Sequence, residues 1–107
     1  MYARQVIMEL RPGKSADFAR LIESDVLPLL RRHQGFQDEI TFITPTGRDA
    51  FAVSFWDTKE SAEAYSRIAF GEVSSMLSGL IDGRPRVHGY DVANSTCHNI
   101  AARLKAA

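Results

Sequence analysis

The 107-residue chain holds a single cysteine, and no apolar run approaches the roughly 18 residues that a membrane span needs. One Cys closes no internal disulfide and supports no Cys-rich zinc site, and it suits a reducing compartment. Charge of one sign is lacking too: thirteen Lys and Arg balance thirteen Asp and Glu, with no basic block or stripe. Nucleic acid and anionic membrane are therefore poor partners. No charged segment followed by an apolar one opens the chain, so no secretory leader is expected and a cytoplasmic setting is. A Gly-rich phosphate loop, a Ser nucleophile elbow and an HExxH helix are all missing, which removes the usual signatures of several enzyme classes.

What remains is 45% hydrophobic, enough for one domain over residues 1–93 with a single core, followed by a small, polar tail over 94–107. A chain this short buries only about two-thirds of the surface it exposes when unfolded, so association with a second copy would add burial.

Hydrophobic periodicity predicts the elements. Tyr2 to Leu10 alternates as a strand, with Val6, Met8 and Leu10 on one face and Gln5, Ile7 and Glu9 on the other. After the Arg11-Pro12-Gly13 break, a helix from Lys14 or Ser15 carries Phe18, Leu21, Ile22, Val26, Leu29 and Leu30 as an apolar stripe. Pro28 lies inside it, and a kink is expected there. Gly35 suits the left-handed residue after the helix, and His33 is expected to face water in the last turn. Phe36 to Thr44 and Arg48 to Trp56, joined by Pro45-Thr46-Gly47, form an antiparallel hairpin. Phe36, Ile40 and Phe42 are expected on one face of its first strand. Its second strand sets Phe51, Val53 and Phe55 against Ala50, Ala52, Ser54 and Trp56. Asp57 is predicted to cap a second helix, with Glu60 reaching back to it. Its stripe is Ala62, Tyr65, Ala69, Val73, Met76 and Leu80, weakened at Gly71 and ended by Asp82-Gly83. Arg86 to Val92 is a fourth strand, and a weak helical signal spans Ile100 to Leu104.

The order βαββαβ predicts an α+β, ferredoxin-like fold: a four-stranded antiparallel sheet with two helices on one face. Whichever register holds, the uncovered face carries apolar or small residues and calls for a partner.

Several side chains are candidates for chemistry. Trp56, the only Trp, either closes the core edge at a strand-to-helix corner or walls a site. Tyr65 either packs in the core or donates to a bound phenol or quinone. His88 shares a strand face with Arg86, Tyr90 and Val92. They are either a solvated or interface face, or a polar pocket with His88 as base and Arg86 as anion stabiliser. Cys97 and His98 are neighbours in the tail and define no metal site. Asp38 and Glu39 point to opposite faces of their strand and cannot act as a pair.

Pro12-Gly13-Lys14, Gly35-Phe36, Phe55-Trp56-Asp57 with Lys59-Glu60-Ser61-Ala62 and Tyr65, and the final Arg86-Val87-His88-Gly89-Tyr90-Asp91-Val92 together resemble the antibiotic biosynthesis monooxygenase family. The match covers residues 2–92. The resemblance implies a dimeric α/β barrel, a homodimer in which two sheets meet back to back. For some members it implies oxidation of phenolic or quinol-like substrates by O₂ with no metal, flavin or other cofactor. Haem degradation is not implied: the places of that branch's Asn, Trp and His are held by Val6, Tyr65 and Ser75. The second helix also lacks the histidines of quinol-oxidising members.

The expectation is a helix–sheet pocket with Trp56, Tyr65 and His88 as catalytic groups and Phe18, Phe42, Arg86 and Tyr90 as substrate contacts. The alternative is a non-catalytic barrel that binds a small apolar metabolite. A solvent-open cavity of roughly 300 Å³ or more beside Trp56 would favour the first, and filling by Phe18, Phe51 and Tyr65 the second.

Overall fold

The computed structural model describes residues 1–98 and 100. Strands β1 (Tyr2–Leu10), β2 (Phe36–Ile43), β3 (Asp49–Trp56) and β4 (Ile81–Asp91) form one antiparallel sheet in the order β2-β3-β1-β4. Helix α1 (residues 15–31) links β1 to β2, and helix α2 (Lys59–Leu77) links β3 to β4. This is the α+β, ferredoxin-like arrangement that the periodicity predicts.

Directly paired residues of antiparallel strands share a sheet face, so the register assigns every side chain. Val6 pairs with Ala52 and Val87, and Arg4 with Ser54 and Gly89. The helix-covered face is thus Tyr2, Arg4, Val6, Met8 and Leu10 of β1 over Ala50, Ala52, Ser54 and Trp56 of β3. Val6, Met8, Leu10, Ala50 and Trp56 join Phe18, Ile22, Val26 and Leu30 of α1 and Ala62, Tyr65, Ala69, Val73 and Leu77 of α2 in one core. The uncovered face carries Ile7, Phe51, Val53 and Phe55, with Ile40 and Phe42 over two-fifths exposed on edge strand β2. Phe42 stacks on Phe51 at 4.6 Å between ring centroids.

Helix α1 accommodates Pro28 by a change of helix type. Ser15–Leu21 and Leu27–Arg31 are α-helical, and Ile22–Val26 between them is a π-helical turn in which the Leu27 N–H donates to the Ile22 carbonyl. Proline has no N–H to continue the ladder, and the widened turn ahead of it absorbs the misfit. The buried residues Phe18, Ile22, Val26 and Leu30 consequently recur every fourth residue, while Leu21 and Leu29 are only partly buried.

Other boundaries also differ from expectation. Thr58, not Asp57, caps α2: its Oγ1 accepts from the Ser61 N–H at 3.1 Å, while Asp57 Oδ1 accepts from the Thr58 N–H at 2.7 Å. α2 runs unbroken through Gly71 because Tyr65, Ala69, Val73 and Leu77 hold it to the sheet on either side. Asp82-Gly83 lies inside β4, not at a helix end. The β1–β4 ladder shifts register between Ile7 and Glu9, opposite Gly83 (φ 70°) and Pro85, whose missing N–H suits a bulge. A second shift, between Phe36 and Asp38, separates Phe36 from Ile40 and Phe42. Phe36 packs edge-on to Trp56 at 5.5 Å on the covered side, so the expected common face of these three is broken by the bulge.

In the tail, Ser95 and Ile100 pair through two backbone hydrogen bonds. His98 leans on Phe55 at 5.7 Å, with its Nε2 3.8 Å from Asp38 Oδ2. The helical signal beyond Ile100 lies outside the described residues.

Candidate functional site

Between the helices and the sheet lies a cavity of about 40 Å³. Its wall is mostly apolar: Val6 and Met8 of β1, Ile22, Val26 and Leu30 of α1, Ala52 of β3, and Phe70, Val73 and Leu77 of α2. Four polar side chains break that wall: Arg4, Glu39, Ser54 and Tyr65. The volume holds a water or two and falls far short of the roughly 300 Å³ where ligand pockets begin. Outside it, between α1 and edge strand β2, runs an open groove of about 510 Å³. Ile22 and Glu39 line both spaces, so Glu39 stands at the neck.

Trp56 is fully buried and lines neither space. Its ring stacks on Tyr65 at 5.1 Å, and its indole N–H donates to Ser54 Oγ at 2.9 Å. Tyr65 is also buried, with His33 edge-on to it at 5.2 Å. His33 is therefore half-buried against the α2 aromatic, not turned to water as expected. Burial pushes the Tyr65 phenol up to about 12, against a smaller opposing pull from Arg4. Burial likewise lifts the Glu39 carboxyl above the usual carboxylate range; the Thr41 hydroxyl, donating to its Oε2 at 2.6 Å, pulls the other way, and Asp38 adds to the rise.

Of the residues expected to share one pocket, the structure brings together only Trp56 and Tyr65. His88 pairs with Gln5 and so points to the uncovered face. Arg86 pairs with Ile7 and Tyr90 with Ala3 on that same face, where the Tyr90 hydroxyl donates to Gln5 Oε1 at 3.2 Å. Phe18 is sealed in the core, and Phe42 stacks on Phe51 on the far side of the sheet. Of the charged groups that do reach the cavity, Arg4 escaped the sequence reading and Glu39 entered it only as a neighbour that cannot pair with Asp38. Arg4 carries the plainer signal, because it is in step with Val6, Met8 and Leu10. Among the described residues no cluster of His, Cys, Asp and Glu is arranged to hold a metal ion. No helix there is long and apolar enough to cross a membrane.

No family model matches the chain, and no curated protein matches it by sequence. Solved structures do match. A Bordetella bronchiseptica protein named for the antibiotic biosynthesis monooxygenases superposes with a TM-score of 0.73 at 19% identity, over 85% of this chain and 96% of its own. A Streptomyces coelicolor monooxygenase in complex with nanaomycin D gives 0.73 at 17% identity, over 88% of each chain. SnoaB, a cofactor-independent oxygenase from Streptomyces nogalater, gives 0.70 at 11% identity, over 89% of this chain and 95% of that one. At such identities the property shared is the fold, and it is the fold that the sequence motifs resemble.

Proposed function

We propose that this protein is a cofactor-independent monooxygenase acting on a small aromatic or quinol-like compound that enters by the α1–β2 groove and places its reacting centre at the neck beside Glu39. The observation that carries this reading is a partly buried carboxyl, its pKa raised by burial, at the junction of an open groove and a mostly apolar cavity. A carboxylate whose pKa is lifted by burial is a better proton acceptor near neutral pH, and an apolar wall favours an electron-rich ring stripped of water. Oxygenases that share the fold support the same reading.

The chemistry balances without a further reactant. Glu39 takes a proton from a ring-flanked CH₂, as in an anthrone. The resulting anion passes electrons to O₂ and a C–O bond forms, giving a hydroperoxide. Loss of water leaves a carbonyl. One oxygen atom ends in that carbonyl; the other leaves as water with both hydrogens of the CH₂.

We further propose a cytoplasmic homodimer closed through the uncovered sheet face, where Phe42, Phe51, Val53, Phe55 and Ile40 form an apolar surface. A sheet face bared to water is normally polar.

The second reading is a non-catalytic barrel binding a small apolar metabolite; the 40 Å³ interior, into which no ring fits as it stands, favours its lack of catalysis and leaves the groove to hold the metabolite. Oxygen uptake decides between them. With hydroquinones and anthrones as substrates, the wild type consumes O₂, Glu39→Gln is slower by about a hundredfold or more, and His88→Ala is unchanged. No uptake with any of these compounds leaves the binding reading.

A further inference from the structure

Arg4 is anomalous. The row of β1 that faces the helices is Tyr2, Arg4, Val6, Met8 and Leu10, and a charged side chain breaks it where the cavity opens. The residue is only 6% exposed. Buried cations are almost always matched by a carboxylate. Yet among the described residues no carboxylate lies within 4.0 Å of this guanidinium. Its polar partner is Ser66 Oγ, at 3.4 Å from Nη2. Otherwise it lies over the Phe70 ring at 4.1 Å and the Tyr65 ring at 5.4 Å.

Those two rings steady the plane of the guanidinium by cation–π attraction and leave its edge free. A guanidinium carries five N–H donors. No buried side-chain nitrogen or oxygen among the described residues is both sealed and unpartnered. The spare Arg4 donors therefore border open space, and Arg4 lines the cavity and a second groove of about 180 Å³ along β4. Glu63 stands in that second groove, half-exposed and beside Lys59. An anion is less welcome there than in the cavity, whose carboxyl, Glu39, can accept the proton that the ligand gives up.

We propose that Arg4 is the anion-binding element of the cavity, and that the ligand is a flat, largely apolar molecule seated in the α1–β2 groove and its neck and bound in its ionised form, with a phenolate or enolate oxygen reaching into the cavity to the Arg4 guanidinium. This deepens the reading of the groove and its neck as the substrate site and rests on it. The two charged residues act as a pair across the ligand. Glu39 starts as carboxylate and the ligand as neutral acid. Moving the proton to Glu39 shifts the negative charge onto the ligand oxygen beside Arg4, and the net charge of the cavity does not change. The fork geometry of Arg suits an sp² oxygen better than the point charge of Lys.

The probe is 4-nitrophenol, whose ionised form absorbs in the visible. In the presence of the wild-type protein its apparent pKa falls by about one unit, a tenfold shift toward phenolate. Arg4→Met abolishes or reverses that shift, and Arg4→Lys recovers part of it. Urea unfolding of the same variants separates ligand binding from a packing role. Removing an unpaired buried charge leaves the Arg4→Met midpoint equal or higher, whereas loss of a purely structural cation lowers it. Nitrophenol bound with unshifted or raised pKa overturns the role of Arg4 while the reading of the groove as the substrate site stands. Absence of nitrophenol binding overturns both. A lowered Arg4→Met midpoint with phenolate formation intact assigns Arg4 to packing and also overturns the proposal.

Discussion

Replacing Trp56 separates a corner seal from a pocket wall. Its side chain is fully buried, edge-on to Phe36 at 5.5 Å, stacked on Tyr65 at 5.1 Å, and donates from Nε1 to Ser54 Oγ at 2.9 Å. Truncation of a ring in that position removes its transfer free energy and leaves a cavity between strand and helix, together about 3–5 kcal/mol. A domain of this size has about 5–15 kcal/mol of stability in all, so the loss is a large fraction. With a urea dependence of about 1.5 kcal/mol per molar, Trp56→Ala lowers the midpoint by about 2–3 M. Trp56→Phe keeps most of the ring contact and gives up the indole hydrogen bond, about 1 kcal/mol, or somewhat under 1 M. The variants lack the chain's only Trp, so far-UV circular dichroism at fixed protein concentration follows the transition. A fall below about 0.5 M for Trp56→Ala refutes the seal, because no fully packed ring is removed so cheaply.

Three further outcomes rest on the glycine corner, the buried phenol and the uncovered sheet face. Gly35 has φ 86°, its carbonyl accepts from the Asp57 N–H at 2.9 Å, and an added Cβ would collide with Asp57 Oδ1 and Ser61 Oγ. Gly35→Ala therefore costs more than the about 1–2 kcal/mol of left-handed strain, which is all that Gly13→Ala incurs at φ 74° in open space; equal urea midpoints for the two would contradict this docking. Tyr65 ionises at about 12 when folded, against about 10 when unfolded. Its contribution is whole below about pH 10 and is lost as pH rises from about 10 to 12, an order of 2–3 kcal/mol. The urea-midpoint difference between wild type and Tyr65→Phe should therefore shrink across that window, and a constant difference refutes it. For the dimer, light scattering at micromolar concentration gives twice the chain mass for the wild type and the single chain mass for Phe42→Lys. A wild-type monomer removes the back-to-back arrangement.

The fold was legible because its signals are local and redundant. β1 alternates over its whole length, the α1 stripe from Phe18 to Leu30 has helical spacing, and Pro45-Thr46-Gly47 marks the hairpin. What was hidden depends on register. One extra residue at Gln37 inverts the faces of everything before it in β2, so Phe36 goes to Trp56 while Ile40 and Phe42 go to the far side. Thr58 and Asp57 are both good caps, and only the geometry of the corner, with Asp57 tied to Gly35, leaves Thr58 at the helix start. The candidate site was harder. His88 and Trp56 look alike as strand aromatics in sequence, yet the pairing of His88 with Gln5 and of Trp56 with Tyr2 sends them to opposite faces. Glu39 gains its place only once β2 is aligned on β3.

The distribution of bulk along β3 explains why a cavity exists at all. On the covered side this strand presents Ala50, Ala52 and Ser54 before Trp56; on the other side it presents Phe51, Val53 and Phe55. A central strand packed for stability alone would put its large residues under the helices. Here the small ones lie there, and the cavity opens over Ala52 and Ser54. Trp56 closes that gap at one end by filling the corner completely, while Arg4 and Glu39 border what is left. Room, a cation with no carboxylate partner among the described residues and a carboxyl lifted by burial each weaken the fold when considered singly. Their convergence on one small volume is what the proposed site for an ionisable guest requires, and the volume displaced to the outer face of β3 is what makes that face apolar.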